Sequence, residues 1–128
     1  MKPSTLEWVE KAEVDWEVAQ RSYRARSVEL HDAVCYHCQQ CIEKYLKARL
    51  NEANAYFTKT HNLEDLLKLL LPIEPGWTVL QPKMVALNPY AVLFRYPGFD
   101  ATKADAKDAL KDCKELRKII RANLGLPV

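Results

Sequence analysis

The amino-acid sequence predicts an all-α protein, an up-and-down helical bundle of about five helices in a single domain over residues 1–128. Three observations carry that reading. Apolar residues recur at three- and four-residue steps over long stretches, which is the period of one helix face. The chain has only 3 glycines, fewer than the many tight turns of a sheet protein usually need. No convincing strand pair and no internal repeat is present. Hydrophobic residues make up 48% of the chain and charged residues 28%, a globular composition. At 128 residues the chain can bury one moderate core.

The first helix is expected over roughly residues 5 to 26. Ser4 and Glu7 have the spacing of a capping box, and Val9, Ala12, Trp16, Ala19 and Tyr23 form one apolar stripe behind it. A second helix is expected from about Leu30 to Ala53, followed by a connection over residues 54 to 61 (NAYFTKTH). Residues 62 to 71 (NLEDLLKLLL) read as a short helix that Pro72 and Pro75 end. PIEPGW reads as a loop. Residues 78 to 94 read as a shorter helical segment interrupted at Asn88-Pro89, and RYPGFD as a second loop. Thr102 with Asp105 starts the last helix. Leu110, Cys113, Leu116, Ile120 and Leu124 give it an apolar stripe, and Gly125 with Pro127 closes it.

The net charge is only +2. Bulk electrostatics therefore gives no sign of nucleic-acid binding and leaves room only for a local basic patch. No apolar run approaches the ~20 residues of a membrane span. The N-terminus, MKPSTLEWVEK, turns charged at once and lacks the apolar stretch of a signal peptide. A cytoplasmic protein is expected, with its 4 cysteines reduced.

The stretch HCQQCIEKYLKA, residues 37 to 48, carries the candidate site. At 100° per residue, Val34, Cys35, Cys38, Cys41, Ile42, Tyr45, Leu46 and Ala48 share one broad apolar face. Gln40, Glu43, Lys44 and Lys47 cluster on the other side, with Tyr36 and His37 a turn earlier. The cysteines are thus expected to pack as small hydrophobes. Zinc wants about four converging ligands, whereas Cys35 and Cys41 lie about 120° apart on the helix and no second Cys/His pair closes a shell. No metal site is expected. The polar quartet has two readings at this point. Glu43 and Lys47 form a favourably oriented i,i+4 pair worth ~0.3–0.5 kcal/mol on a solvated face. The same four residues could instead wall a binding site.

QQCIEKYLKA at 39 to 48, KTHNLEDLL at 59 to 67 and RYPG at 95 to 98, in that order, resemble the HEPN domain family over nearly the whole chain. The resemblance implies a five-helix bundle of the nucleotidyltransferase substrate-binding-subunit type, similar to the C-terminal half of kanamycin nucleotidyltransferase and often homodimeric. It implies a partner, a minimal nucleotidyltransferase protein, with the HEPN chain as the toxin of the pair. It also places the Arg95 loop beside helix two. A ligand-binding set of Gln40, Glu43, Lys44, Lys47, His61, Arg95 and Tyr96 follows, suited to a nucleotide or RNA phosphate. Arg95 would grip phosphate through its guanidinium, and Tyr96 would stack on a base. In the unliganded protein Glu43 is expected to hold Arg95.

Ribonuclease members of the family carry an Arg, four to six residues, then His. Here Arg95 has no such follower: Asp100, Ala101 and Thr102 occupy those positions, and the last histidine is His61. Arg26 and His31 match the bare spacing, but between helices one and two, away from where that motif belongs. No residue is therefore assigned as catalytic, and no cofactor is implied. A phosphate-binding protein is favoured, with a metal-independent endoribonuclease toxin or a purely structural interaction module as alternatives.

Overall fold

The computed structural model describes all residues from Met1 to Val128. It contains five α-helices and no strands: α1 (Pro3–Arg24), α2 (His31–Glu52), α3 (Leu63–Leu70), α4 (Gln81–Leu87) and α5 (Lys103–Asn123). Short 3-10 segments fill Val28–Leu30, Pro75–Leu80, Asn88–Ala91 and Leu93–Arg95. The all-α bundle read from the sequence is the observed one, and no helix is long and apolar enough to cross a membrane.

α2 is the central helix and touches each of the other four. Its stripe of Cys35, Cys38, Cys41, Ile42, Tyr45 and Leu46 is fully buried and meets Val9, Ala12 and Ala19 of α1 and Cys113, Leu116 and Ile120 of α5 in one core cluster. The four cysteines lie on the packing face, as the helical spacing predicts. Burial pushes the Cys35 thiol up to about 12, helped by the nearby Cys38, so it remains a protonated hydrophobe at neutral pH. No group of three or more His, Cys, Asp or Glu side chains is placed to hold a metal ion.

Two helix ends differ from the sequence reading. Ser4 does not cap α1. Proline is preorganised for the first helical turn, so the helix starts at Pro3 with Lys2 as its N-cap and no side-chain cap bond. The Ser4 hydroxyl instead accepts from Asn51 Nδ2 at 2.8 Å. The far end of α1 stops at Arg24, because Arg26 takes a left-handed backbone, φ +53°. By contrast, the capping box of α5 forms as read. Asp105 N donates to Thr102 Oγ1 at 3.0 Å, and Thr102 N donates to Asp105 Oδ2 at 2.9 Å.

At the other end of α5, Gly125 takes φ +76°, a conformation that costs glycine little. Leu126 N then donates back to Arg121 O at 2.9 Å, which closes the helix with a Schellman turn. The segment expected as one interrupted helix over 78 to 94 is more broken than that. It comprises the end of the Pro75–Leu80 3-10 segment, α4 and two further 3-10 turns, and Asn88 marks the interruption by accepting from Leu63 N at 2.8 Å.

Candidate functional site

Tyr36, Gln40, Glu43 and Lys47 fall within about 60° of one another around α2. They form a ridge about 16 Å long between α1 and the connection that carries His61. At one end Glu43 is a hub. Its carboxylate accepts from Lys47 Nζ at 3.2 Å and from Gln39 Nε2 at 3.3 Å, and it meets His61 Nδ1 at 3.1 Å. Gln39 Nε2 also donates to His61 O at 3.1 Å, and Gln40 Nε2 donates to Gln39 Oε1 at 2.7 Å. The Lys47 ammonium sits 5.6 Å from the centroid of the Trp8 ring, where the π face adds attraction.

Glu43 and Lys47 are 3% and 6% exposed, so the expected solvated face is in fact a covered one. The helical wheel gives their direction correctly. It does not reveal that Trp8 and the His61 connection lie over them. A buried ion pair of this kind is held by its extra hydrogen bonds as much as by its Coulomb attraction.

Lys44 belongs to a different cluster. Its ammonium donates to Asp15 Oδ2 of α1, while Asp15 Oδ1 meets His37 Nδ1 at 2.8 Å. Asp15 is itself 6% exposed and interrupts the apolar stripe of α1. A lone carboxylate among Ala12, Trp16 and Ala19 was the signal that could have located it. His37 stands edge-on to Tyr36, with ring centroids 5.2 Å apart, and its side chain keeps 28% exposure.

Arg95 lies at the opposite end of the ridge from Lys47. Its guanidinium carbon is 6.0 Å from the centroid of the Tyr36 ring. The expected Glu43–Arg95 pair does not form. Glu43 is occupied by Lys47, Gln39 and His61, and Tyr36 is seven residues, or about 10 Å of helix, before it. Arg95 has no carboxylate within ion-pair distance at all. Tyr96 is 63% exposed.

Of the seven residues read from the sequence, Gln40, Glu43, Lys47 and His61 are thus brought together. Lys44 turns to α1, and Arg95 with Tyr96 occupies the far end. Gln39, Tyr36, His37, Asp15 and Trp8 complete the ridge and were not read as site residues.

A third charged cluster, on the other flank of α2, is structural. Glu13 of α1 accepts from Arg117 Nε at 2.8 Å and from Tyr45 OH at 2.6 Å, and Arg121 Nη1 donates to Tyr45 OH at 2.9 Å. Burial alone would raise the Glu13 carboxyl. The bonds from Arg117 and Tyr45 and the two guanidinium charges outweigh it and hold the carboxyl below its usual range. This network pins α1, α2 and α5 to one another.

The family assignment rests on sequence. The HEPN domain pattern matches residues 5–123, from the first turn of α1 to the last residue of α5. The chain belongs to the HEPN domain family. It is 30% identical over 131 aligned positions to the protein named "Putative toxin MJ1304" of Methanocaldococcus jannaschii, a match that covers 89% of this chain and 84% of that protein. No solved structure matches the chain. As a HEPN protein, it has the RYPG loop against α2, through Arg95 and Tyr36, as the sequence resemblance implied.

Proposed function

We propose that this HEPN protein binds the phosphate of a nucleotide or RNA and acts as the toxin-like member of a pair with a minimal nucleotidyltransferase, as a cytoplasmic homodimer. The observation that carries the binding reading is Arg95. It is an exposed guanidinium with no internal carboxylate, seated over Tyr36 at the end of a fixed polar ridge. A free guanidinium presents two parallel N–H donors to a phosphate. Tyr36 and Tyr96 offer ring faces to a base. The similarity to a protein named as a toxin supports the pairing.

Isothermal calorimetry with adenosine triphosphate tests the reading. The intact protein is expected to bind and Arg95→Ala to lose at least ~10-fold in affinity, which corresponds to one charge-assisted pair. The substitution should cost only about 0.5 kcal/mol of stability, the scale of one exposed cation–π contact. No heat of binding from the intact protein would overturn the reading.

A second reading, a metal-independent endoribonuclease, is favoured by one observation. Asp15 orients His37 through Nδ1, and His37 stands against the Tyr36 ring that also carries the Arg95 guanidinium. A carboxylate-held, partly exposed imidazole is the usual form of a general base near neutral pH. RNA cleavage that disappears in His37→Gln, in a variant that still folds, would select this reading over simple binding.

A further inference from the structure

The cations on the flank formed by α1 and α5 have a different character from those of the ridge. Along α5, Lys103, Lys107, Lys111 and Lys114 recur at helical spacing and fall within about 80° of one another. All four are exposed. Asp105, Asp112 and Glu115 are turned the other way, where Glu115 pairs with Lys83 of α4 at 3.1 Å, and Asp108 lies at the boundary between the two sides. The helix is therefore split lengthwise into a basic and an acidic side, and the net charge of +2 conceals the split.

Two adjoining cavities follow the basic side. One, of about 600 Å³, runs along the α1–α5 seam and is lined by Trp16, Gln20, Tyr23, Lys107, Lys111 and Lys114, with Asp108 as its single acid. The other, of about 870 Å³, lies beyond the end of α1 and is lined by Tyr23, Arg24, Arg26, Val28, His31 and Lys103. Tyr23 belongs to both, so together they form one groove. None of Arg24, Arg26, Lys103, Lys107, Lys111 or Lys114 has an ion-pair partner. Six uncompensated cations against one carboxylate make a sustained positive field along a cleft.

The groove shares no lining residue with the Arg95 ridge, and along the α1–α5 seam α1 stands between the two. That helix gives Asp15 to the ridge and, turned about 100° away, Trp16 to the groove. Lys103 to Lys114 spans about 16 Å of helix axis. At the ~3.4 Å per phosphate of one strand, that is room for about five phosphates. A half-buried tyrosine in the middle of a cationic track is the arrangement by which single strands are held: charges follow the backbone and an aromatic face takes a base.

We propose that the α1–α5 groove binds the backbone of a single-stranded nucleic acid, independently of the Arg95 site. The proposal concerns a track several nucleotides long rather than one phosphate, and it holds whether or not Arg95 binds a mononucleotide.

The test is fluorescence anisotropy with a labelled oligouridylate of about twelve nucleotides, inside the ~4–16 nucleotide range of single-strand sites. It is run on the full chain across potassium chloride concentrations. Binding is expected to weaken with salt at a log–log slope of about −4, from six cations at ~0.7 each. Lys107→Glu with Lys111→Glu should lower affinity at least ~10-fold. These are exposed positions, so the circular dichroism of the variant should stay that of the parent. The lysine variant should leave the calorimetric titration with adenosine triphosphate unchanged, which separates loss in the groove from loss at Arg95. An oligouridylate affinity untouched by the double lysine variant would overturn the proposal. So would equal competition by polyglutamate, which would make the groove a surface for acidic protein.

Discussion

The polar ridge of α2 and the groove between α1 and α5 use the same residue types to opposite ends. On α2, Lys47 of the ridge and Lys44 beside it each meet a carboxylate that is less than a tenth exposed. In the groove, six cations stand in water with no partner. A buried charge must be compensated because desolvation costs several kcal/mol per ion. An exposed one carries no such requirement and is free to meet a ligand. A lysine on this bundle is therefore informative only with its surroundings: paired and covered, it is part of the structure, and unpaired beside a cleft, it is open to recognition. Arg95, exposed and unpaired at the end of the ridge, falls in the second class even though its neighbours fall in the first.

The largest effect that separates the two regions should come from Glu43→Ala. The change strands Lys47, which is 6% exposed, and removes one of the two acceptors of Gln39 Nε2 and the side-chain partner of His61. Breaking a buried pair from one side costs about 3–5 kcal/mol, a large fraction of the stability of a domain this size. Urea denaturation should show the midpoint falling with little change in slope. A loss below about 1 kcal/mol would mean that the ridge is wet and that the contrast with the groove is unfounded.

A smaller effect, and one that depends on pH, is expected at Glu13. Its carboxyl is held below the usual range in the folded protein. A depressed acid contributes stability above its unfolded value, and that contribution is lost as pH falls through the folded value. Glu13→Gln keeps the shape but leaves Arg117 and Arg121 without a counter-charge, at a cost of about 2 kcal/mol at neutral pH. Thermal melts from pH 7 downward should show the gap between parent and variant closing once the pH drops below the carboxylate range. A gap that stays constant to low pH would show that charge is not what Glu13 supplies.

These expectations also mark which features were legible in the sequence. The capping box of α5 was legible because Thr102 and Asp105 satisfy each other locally. The one at Ser4 was not, because Pro3 started the helix earlier and Asn51, distant in sequence, took the serine hydroxyl. The face of α2 that holds Glu43 and Lys47 could be read as a direction, but its cover of Trp8 and His61 comes from elsewhere in the chain. For the same reason the partner of Glu43 was misassigned to Arg95. The α5 lysines were readable at their spacing of four, four and three, yet the acids of the opposite side cancel them in any count of net charge. Nothing in the sequence shows that α1 stops just where Arg24 and Arg26 flank the end of that row.

Arg26 gives the smallest expected effect, and its sign differs from the others. Its φ of +53° is a left-handed conformation that costs a residue with a side chain roughly 1 kcal/mol and glycine little. The added flexibility of glycine in the unfolded chain takes back part of that difference. Arg26→Gly should therefore stabilise the protein by about 0.5 kcal/mol while removing one of the six groove cations. If the groove holds a strand of phosphates, the same variant binds oligouridylate more weakly and its salt slope falls by about 0.7. Higher stability with weaker binding would show that an arginine at this strained position serves recognition and not the fold. A variant that is destabilised, with unchanged binding, would instead place Arg26 among the structural charges, on the ridge's side of the comparison.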